Sequence, residues 1–120
     1  MALGSIAITG TITGLTGGSR TIAPPVISST AAVDEVRTIA LAGNTNTTIN
    51  IPTGAVACVI TPPPSNTAQL TFKGVPGDIG LRISRTHPTM IALETLTPSV
   101  PTTFVLYAQS PGISVEVAFV

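Results

Sequence analysis

Few residues of this chain have side chains that could carry out chemistry, and they are widely spaced. The single histidine, His87, follows Asp78 and Ser84 closely in the sequence. Serine, histidine and aspartate are the side chains of a nucleophilic catalytic triad, but the segment lacks the Gly-x-Ser-x-Gly turn that exposes a catalytic serine. We therefore interpret His87 as a loop histidine with ordinary hydrogen bonds. The sequence predicts no catalytic residue, and hence no enzyme.

The acidic residues do not have the spacing of a metal site. Asp34 and Glu35 are adjacent, and neighbouring residues of a strand point to opposite faces. Asp78, Glu94 and Glu116 are scattered along the chain, and the ligand spacings typical of calcium and zinc sites are missing. We predict no metal and no other cofactor, and we expect Glu94 and Glu116 to pair with basic side chains across strands.

Two further candidates are better explained by structure than by chemistry. Cys58 is the only cysteine, so no disulfide can form within the chain. The apolar run 55–60 around it predicts a small buried side chain. The glycine-rich segment 16–19 lacks the Lys-Ser/Thr ending of a phosphate-binding loop and precedes no predicted helix. We expect a turn there.

Composition excludes several classes of partner. Only 8% of the 120 residues are charged, the net charge is zero and 3% are aromatic, whereas an ordinary soluble domain has about 25% charged residues. Because there is neither a basic excess nor a set of rings to stack on bases, we expect no nucleic acid partner. Each apolar run is interrupted well short of the roughly 18 residues that span a bilayer, so we expect no membrane partner.

The scarcity of charge also indicates how the surface is used. With 43% hydrophobic residues, the chain has the apolar content of a folded domain. A surface so poor in ionic groups favours association. We therefore expect partner subunits to cover much of it.

Threonine, isoleucine and valine recur in short runs that predict β-strands. Apolar and polar residues alternate over 5–12, 47–51 and 68–73. In a second group of runs, at 55–60, 104–108 and 115–120, the side chains on both faces of the strand are apolar. Two shorter runs, at 81–84 and 90–93, complete the set. The second group predicts central strands, or strands covered on both faces.

The spacing of these strands defines the predicted fold class. Glycine and proline turns separate them about every 8–12 residues, as in a Greek-key or jelly-roll sandwich or barrel. We predict an all-β fold, an antiparallel β-sandwich that is jelly-roll-like. Segment 31–42 has the spacing of either a helix or a strand, and its alternation over 37–41 favours the strand.

The first third of the chain differs from the rest and predicts a separate element. Residues 1–33 combine many glycines with apolar side chains, a composition that is costly to order unless it packs on something large. We expect an extended N-terminal arm or edge hairpin that contacts a neighbouring subunit, followed by a sandwich domain over 34–120. Charge concentrates in 73–85, which contains Lys73, Asp78, Arg82 and Arg85 and is either a solvated edge or the polar rim of a subunit contact. The candidate interface residues are Ile6, Ile8, Ile12, Leu15, Ile22, Arg82 and Arg85.

Several turn-rich segments resemble small β-rich structural proteins of tailed bacteriophages. The segments are Val-Ile-Thr-Pro-Pro-Pro-Ser-Asn at 59–66 and Leu-Thr-Phe-Lys-Gly at 70–74, with 77–81 and 86–89 after them, and the similarity covers about residues 35–120. The resemblance implies a virion protein without a catalytic residue: a capsid decoration (cement) protein that sits on the shell as a homotrimer. Its partners would be itself and the major capsid protein or another virion protein.

Two alternative functions fit the same sequence. One is another virion role, such as a tail, neck or fibre-base component. The other is a glycan-binding β module, which would need a concave polar or aromatic patch, and the chain offers only Tyr107 besides its three phenylalanines. The first residues lack the pattern of a signal peptide, so we expect synthesis in the host cytoplasm and a final location in the virion.

Overall fold

The computed structural model describes the backbone of residues 5–6, 10–15, 18–22, 27–28, 35–93 and 102–120, and the side chains of the last two ranges. In those ranges the chain forms strands, turns and extended connections without a helix, so none there is long and apolar enough to cross a membrane. The strands are β1 (Ser5–Ile6), β2 (Gly10–Leu15), β3 (Gly18–Ile22), β4 (Ile27–Ser28), β5 (Glu35–Ala42), β6 (Thr45–Asn50), β7 (Ala57–Thr61), β8 (Leu70–Lys73), β9 (Leu81–Ile83), β10 (Thr89–Ala92), β11 (Thr103–Ala108) and β12 (Gly112–Phe119).

Eight of these strands form two four-stranded sheets. The first sheet has the order β10-β7-β12-β5 and the second has the order β6-β11-β8-β9. All neighbouring strands in both sheets are antiparallel. The two sheets share one hydrophobic core. The predicted antiparallel β-sandwich is confirmed.

The pairing of the eight strands is nested. β5 pairs with β12, β6 with β11, β7 with β10 and β8 with β9. This is the pattern of one long hairpin whose two arms are folded over into two sheets, which is the connectivity of a jelly roll. The sandwich is therefore jelly-roll-like in strand order as well as in its layers.

Strand β5 shows why the sequence adopts this fold locally. Ile39 and Leu41 point into the core, while Thr38 and Ala40, which alternate with them, are exposed. This alternation is expected for a strand with one buried face. β5 pairs with β12 along its whole length, from Glu35 opposite Phe119 to Ala42 opposite Gly112. The strand favoured over the helix for this segment is confirmed.

The strands that are apolar at both parities lie inside the sheets. β7, β11 and β12 each have a neighbour on both sides. Val105 of β11 shows the consequence, because it lies on the outer face of the second sheet, between the core residues Phe104 and Leu106, and is still only 1% exposed. The prediction of central strands is confirmed for all three.

All three phenylalanines of the chain meet in the core. The ring centroids of Phe72 and Phe104 are 5.1 Å apart, and those of Phe104 and Phe119 are 6.5 Å apart. Phe72 and Phe104 belong to the second sheet and Phe119 to the first, so the cluster joins the two layers. Aromatic pairs at these separations contribute about 0.5–1.5 kcal/mol each beyond the area that they bury.

Arg37 closes one edge of the sandwich. Its guanidinium lies 5.2 Å from the centroid of the Phe119 ring, pairs with Glu35 and donates a hydrogen bond of 2.7 Å to the carbonyl oxygen of Asn50. The hydrogen bond from Arg37 to Asn50 connects β5 of the first sheet to the end of β6 in the second sheet. The hydrogen bond from Arg37 holds the pKa of the Glu35 carboxyl below its usual value.

The N-terminal strands form a nested pair of their own. β2 pairs with β3 and β1 pairs with β4, in two sheets of two strands. Among the residues whose backbone is described, none of these four strands pairs with a strand of the sandwich. The predicted strand 5–12 is divided between β1 and β2, and its residues 7–9 lie outside the described residues. The boundary after residue 33 remains a prediction.

Truncation of Phe104 tests the importance of the aromatic cluster. We expect Phe104→Ala to lower the free energy of unfolding by about 3–5 kcal/mol, because it removes a buried ring and leaves a cavity. Leu81→Ala is the matched control, since Leu81 is 68% exposed and its loss should cost less than about 0.5 kcal/mol. Chemical denaturation measures both.

If Phe104→Ala does not fold, Phe104→Leu, which keeps more of the side-chain volume, provides the measurement with a smaller expected loss. Equal losses for the variants at Phe104 and Leu81 would contradict the role of the cluster.

Candidate functional site

The serine and histidine of the apparent triad are used to build a turn. Ser84 Oγ accepts hydrogen bonds from the backbone N–H groups of Thr86, at 3.3 Å, and His87, at 3.0 Å. The Nδ1 atom of His87 lies 2.9 Å from the hydroxyl oxygen of Thr86. This geometry is that of a serine capping its own turn, with the imidazole hydrogen-bonded to the adjacent threonine.

Asp78 holds a different loop. Its Oδ2 atom accepts hydrogen bonds of 3.1 Å from the backbone N–H groups of Gly74 and Val75. These bonds close the loop between β8 and β9. Across the described ranges, no three His, Cys, Asp or Glu side chains lie close enough together to hold a metal ion.

Cys58 is buried as predicted. It lies in β7 with 1% of its surface exposed and belongs to the core cluster. Burial raises the pKa of its thiol from 9.0 to about 11, because a thiolate is poorly solvated there. The thiolate is the reactive form of cysteine, so the fold keeps this side chain unreactive near neutral pH.

The structure places the two predicted interface arginines in different surroundings. Arg82 is exposed in β9 and lies opposite Thr71 on the outer face of the second sheet. Arg85 is also exposed, and its guanidinium donates a hydrogen bond of 3.1 Å to the carbonyl oxygen of Thr67. Arg85 therefore connects two loops, whereas Arg82 is directed towards the surface of the sheet.

The apolar interface candidates lie in the N-terminal strands. Ile6 is in β1, Ile12 and Leu15 are in β2 and Ile22 is in β3, while Ile8 lies outside the described residues. The pairing of β2 with β3 changes register between Ile12 and Leu15. The role of these five residues in a subunit contact remains a prediction.

The outer face of the first sheet is almost free of charge. Alternation places small or apolar side chains on this face of all four strands, and Glu116 is its one charged member among the described residues. A row of four directly opposed residues, Met90, Val59, Ala118 and Val36, crosses the whole sheet, and Val36 is 59% exposed. The accessible members of this face are Val36, Thr38, Ala40, Ala42, Val59, Thr61, Met90, Ala92, Ser114, Glu116 and Ala118, while Ala57 on the same side of β7 is fully buried.

The outer face of the second sheet is polar and concave. It contains a cleft of about 220 Å³, lined by Gln69, Thr71, Lys73, Ile79, Gly80, Arg82, Tyr107 and Gln109. The Nζ atom of Lys73 lies 4.8 Å from the centroid of the Tyr107 ring, a distance at which a cation is attracted to the ring face. The Tyr107 hydroxyl donates to Oδ1 of Asn44 at 3.3 Å.

The loop between β8 and β9 forms one wall of this cleft. Gly80 has a φ of +79°, and a Cβ atom there would lie 2.6 Å from the carbonyl oxygen of Phe72. Only glycine allows this close approach, which brings the loop down onto β8. The adjacent Ile79 is 96% exposed at the rim.

Sequence reasoning identified the charged part of the cleft but not the cleft itself. The charged segment 73–85 contains both Lys73 and Arg82, together with Asp78 and Arg85. Gln69, Tyr107 and Gln109 had no signal that marked them as a group, because β8 and β11 become neighbours only in the folded sheet.

Comparisons with known proteins identify no relative of this chain. No protein-family model matches the chain, and neither a curated protein nor a solved structure matches it at a significant level of similarity. The candidate sites therefore depend on the geometry of the two outer faces.

The raised pKa of Cys58 predicts a loss of stability in alkali. Because the pKa of the thiol is near its ordinary value of 9.0 in the unfolded state and about 11 in the folded state, the unfolded state gains thiolate first. The cysteine's contribution to the free energy of unfolding is therefore complete below pH 9 and is lost as the pH rises towards 11. Denaturation of the parent protein and of Cys58→Ala over this range measures the difference.

We expect the parent protein to lose more stability than Cys58→Ala between these pH values, since every other ionisable group is common to both proteins. Identical slopes would show that the thiol is not protected by the fold.

Proposed function

We propose that this protein is a non-enzymatic structural subunit of a bacteriophage particle, a capsid decoration protein that bridges capsid subunits. The observation that carries the proposal is the outer face of the first sheet, on which Glu116 is the one charged side chain in the described part of the chain. The near absence of charge makes this face suited to contact with another protein, because the centres of protein interfaces are depleted of charged residues.

The chemistry of this face fits a protein contact better than a ligand site. Its side chains are small, so a flat partner surface can approach closely, and charge depletion is typical of the centre of an interface. Glu116 lies between Thr38 and Thr61 in the register of the sheet. These three side chains form a polar row beside the apolar row of Met90, Val59, Ala118 and Val36.

The edges of the sandwich offer a second means of bridging. In the described part of the chain, β5 and β10 are the edges of the first sheet and β6 and β9 those of the second. An extended segment of a neighbouring subunit can add a strand to such an edge through main-chain hydrogen bonds. Residues 1–33 have the composition for this role, and they immediately precede β5.

Assembly into a closed ring would complete the mechanism. Cyclic symmetry allows each subunit to give and receive the same contact, so that modest contacts combine into a stable ring. We propose a homotrimer that contacts the major capsid protein, with synthesis in the host cytoplasm and a final location on the virion. The resemblance of residues 35–120 to phage structural proteins supports this choice over other assemblies.

A tail, neck or fibre-base location is the alternative within the same class. It uses the same apolar face and differs only in the partner. Electron microscopy of particles labelled with an antibody against the chain separates the two locations. Label confined to the tail would overturn the decoration role.

A charge placed on the apolar face tests the contact. We expect Val36→Asp and, separately, Ala40→Asp to convert the oligomer to a monomer, because each buries an unpaired carboxylate in the proposed interface. Both residues are exposed in the single subunit, so the free energy of unfolding of the monomer should change by less than about 0.5 kcal/mol. Light scattering behind size exclusion gives the mass.

Thr48→Asp is the matched control. Thr48 is exposed in β6 on the outer face of the second sheet, so this variant should keep the mass of the parent. A parent protein that is itself a monomer would exclude the homotrimer and leave the apolar face to a different virion partner.

Removal of the first residues tests the arm. We expect deletion of residues 1–18 to abolish assembly, because it removes β1 and β2 and with them the partners of β3 and β4. The sandwich strands do not pair with these elements in the described residues, so the circular dichroism spectrum of the sandwich should persist. Normal assembly of the truncated protein would eliminate the arm as the bridging element.

A further inference from the structure

We propose that the cleft on the outer face of the second sheet binds a carboxylated saccharide, such as one uronate unit of an acidic polysaccharide. The proposal goes beyond the structural role and is independent of it, because the cleft and the apolar face lie on opposite sides of the sandwich. It rests on two cations, two amides and two hydroxyl groups that line one concavity.

The two basic side chains of the cleft favour an anionic ligand. Lys73 and Arg82 both line it, and no carboxylate does so among the described residues. Asp78 belongs to the same loop, but its Oδ2 atom accepts from two backbone N–H groups of that loop. An ammonium and a guanidinium on one concave surface are suited to a carboxylate, which arginine can bind through two parallel hydrogen bonds.

The Tyr107 ring restrains the lysine before a ligand arrives. The ammonium of Lys73 lies over the Tyr107 ring, and the Tyr107 hydroxyl donates a hydrogen bond to Asn44, in the turn before β6. Asn44 Oδ1 also accepts from the backbone N–H of Ser110 at 3.2 Å. A cation held in this way loses less conformational entropy on binding than a free lysine side chain.

The neutral groups of the cleft fit sugar hydroxyls. Gln69 and Gln109 each present an amide that both donates and accepts, and Thr71 adds a hydroxyl group. The volume of about 220 Å³ is below the 300–1,000 Å³ typical of sites for drug-sized ligands. The cleft therefore accommodates one small polar unit of a longer chain rather than a large cofactor.

The sheet geometry disfavours an acidic peptide as the ligand. The floor of the cleft is β8, whose main chain pairs with β11 on one side and β9 on the other. A peptide in the cleft could not add main-chain hydrogen bonds to this strand, and strand addition is a principal source of affinity for extended peptides. Recognition must come from side chains, which suits a ligand with many hydroxyl groups.

Titration calorimetry of the full chain with three probes tests the assignment. The probes are tetragalacturonate, the neutral maltotetraose and a tetrapeptide of glutamate. We expect tetragalacturonate to bind at millimolar or lower concentration, with an affinity that falls as salt is added, and the other two to bind at least about tenfold more weakly.

Single charge removals locate the site. We expect Lys73→Gln and Arg82→Gln each to weaken tetragalacturonate binding by about tenfold or more, since each removes a charge-assisted hydrogen bond. Arg85→Gln is the matched control, because it removes the same charge from an exposed residue outside the cleft. It should bind as the parent does, and circular dichroism verifies that all three variants are folded.

Several results would overturn the proposal. They are no binding of tetragalacturonate, equal binding of maltotetraose, or equal losses in Arg85→Gln and Arg82→Gln. Equal binding of the glutamate peptide would replace the saccharide with an acidic protein partner. Val36→Asp should bind tetragalacturonate as the parent does, so that a failure of assembly and a failure of the cleft are separate outcomes.

Discussion

The aromatic contact between the two sheets is the interaction on which the rest of the structure depends. Phe104 lies between Phe72 of its own sheet and Phe119 of the other, so the chain concentrates all its phenylalanines where the layers meet. This contact holds the inner faces of β8, β11 and β12 together across the two sheets. Because the inner faces are buried in the core, only the two outer faces can interact with other molecules. The composition of these outer faces is the main evidence for function.

The two outer faces divide that function between them. The first sheet presents small and apolar side chains around the single carboxylate Glu116, whereas the second presents Lys73, Arg82 and neutral polar groups around a concavity. A chain with 8% charged residues thus places two of its five basic side chains in one cleft. The same sandwich offers one surface that fits a flat protein partner and another that fits a small anionic group.

Local pattern predicts the strands of this protein well and their arrangement less well. Alternation in β5 and the doubly apolar runs of β7, β11 and β12 are visible in the sequence, because burial of one or both faces is a local property. Asn66 is different: it is buried and bonds the carbonyl oxygens of Ala68 and Arg85 through its side-chain amide, yet in the sequence it is one more turn residue. The cleft was missed for the same reason, since Lys73 and Tyr107 are neighbours only after β8 and β11 pair.

The nested strand pairing determines the order in which the domain can form. β8 and β9 are joined by a short loop, whereas β5 and β12 are separated by most of the sandwich sequence. Closing a longer loop costs more entropy, and long-range pairing slows folding. We expect the nested strand pairs to form in order of increasing loop length, starting with the hairpin of β8 and β9 and ending when β5 docks beside β12. Until β5 docks, β12 has one unpaired edge, and during that interval the β5 of another newly made chain can take its place.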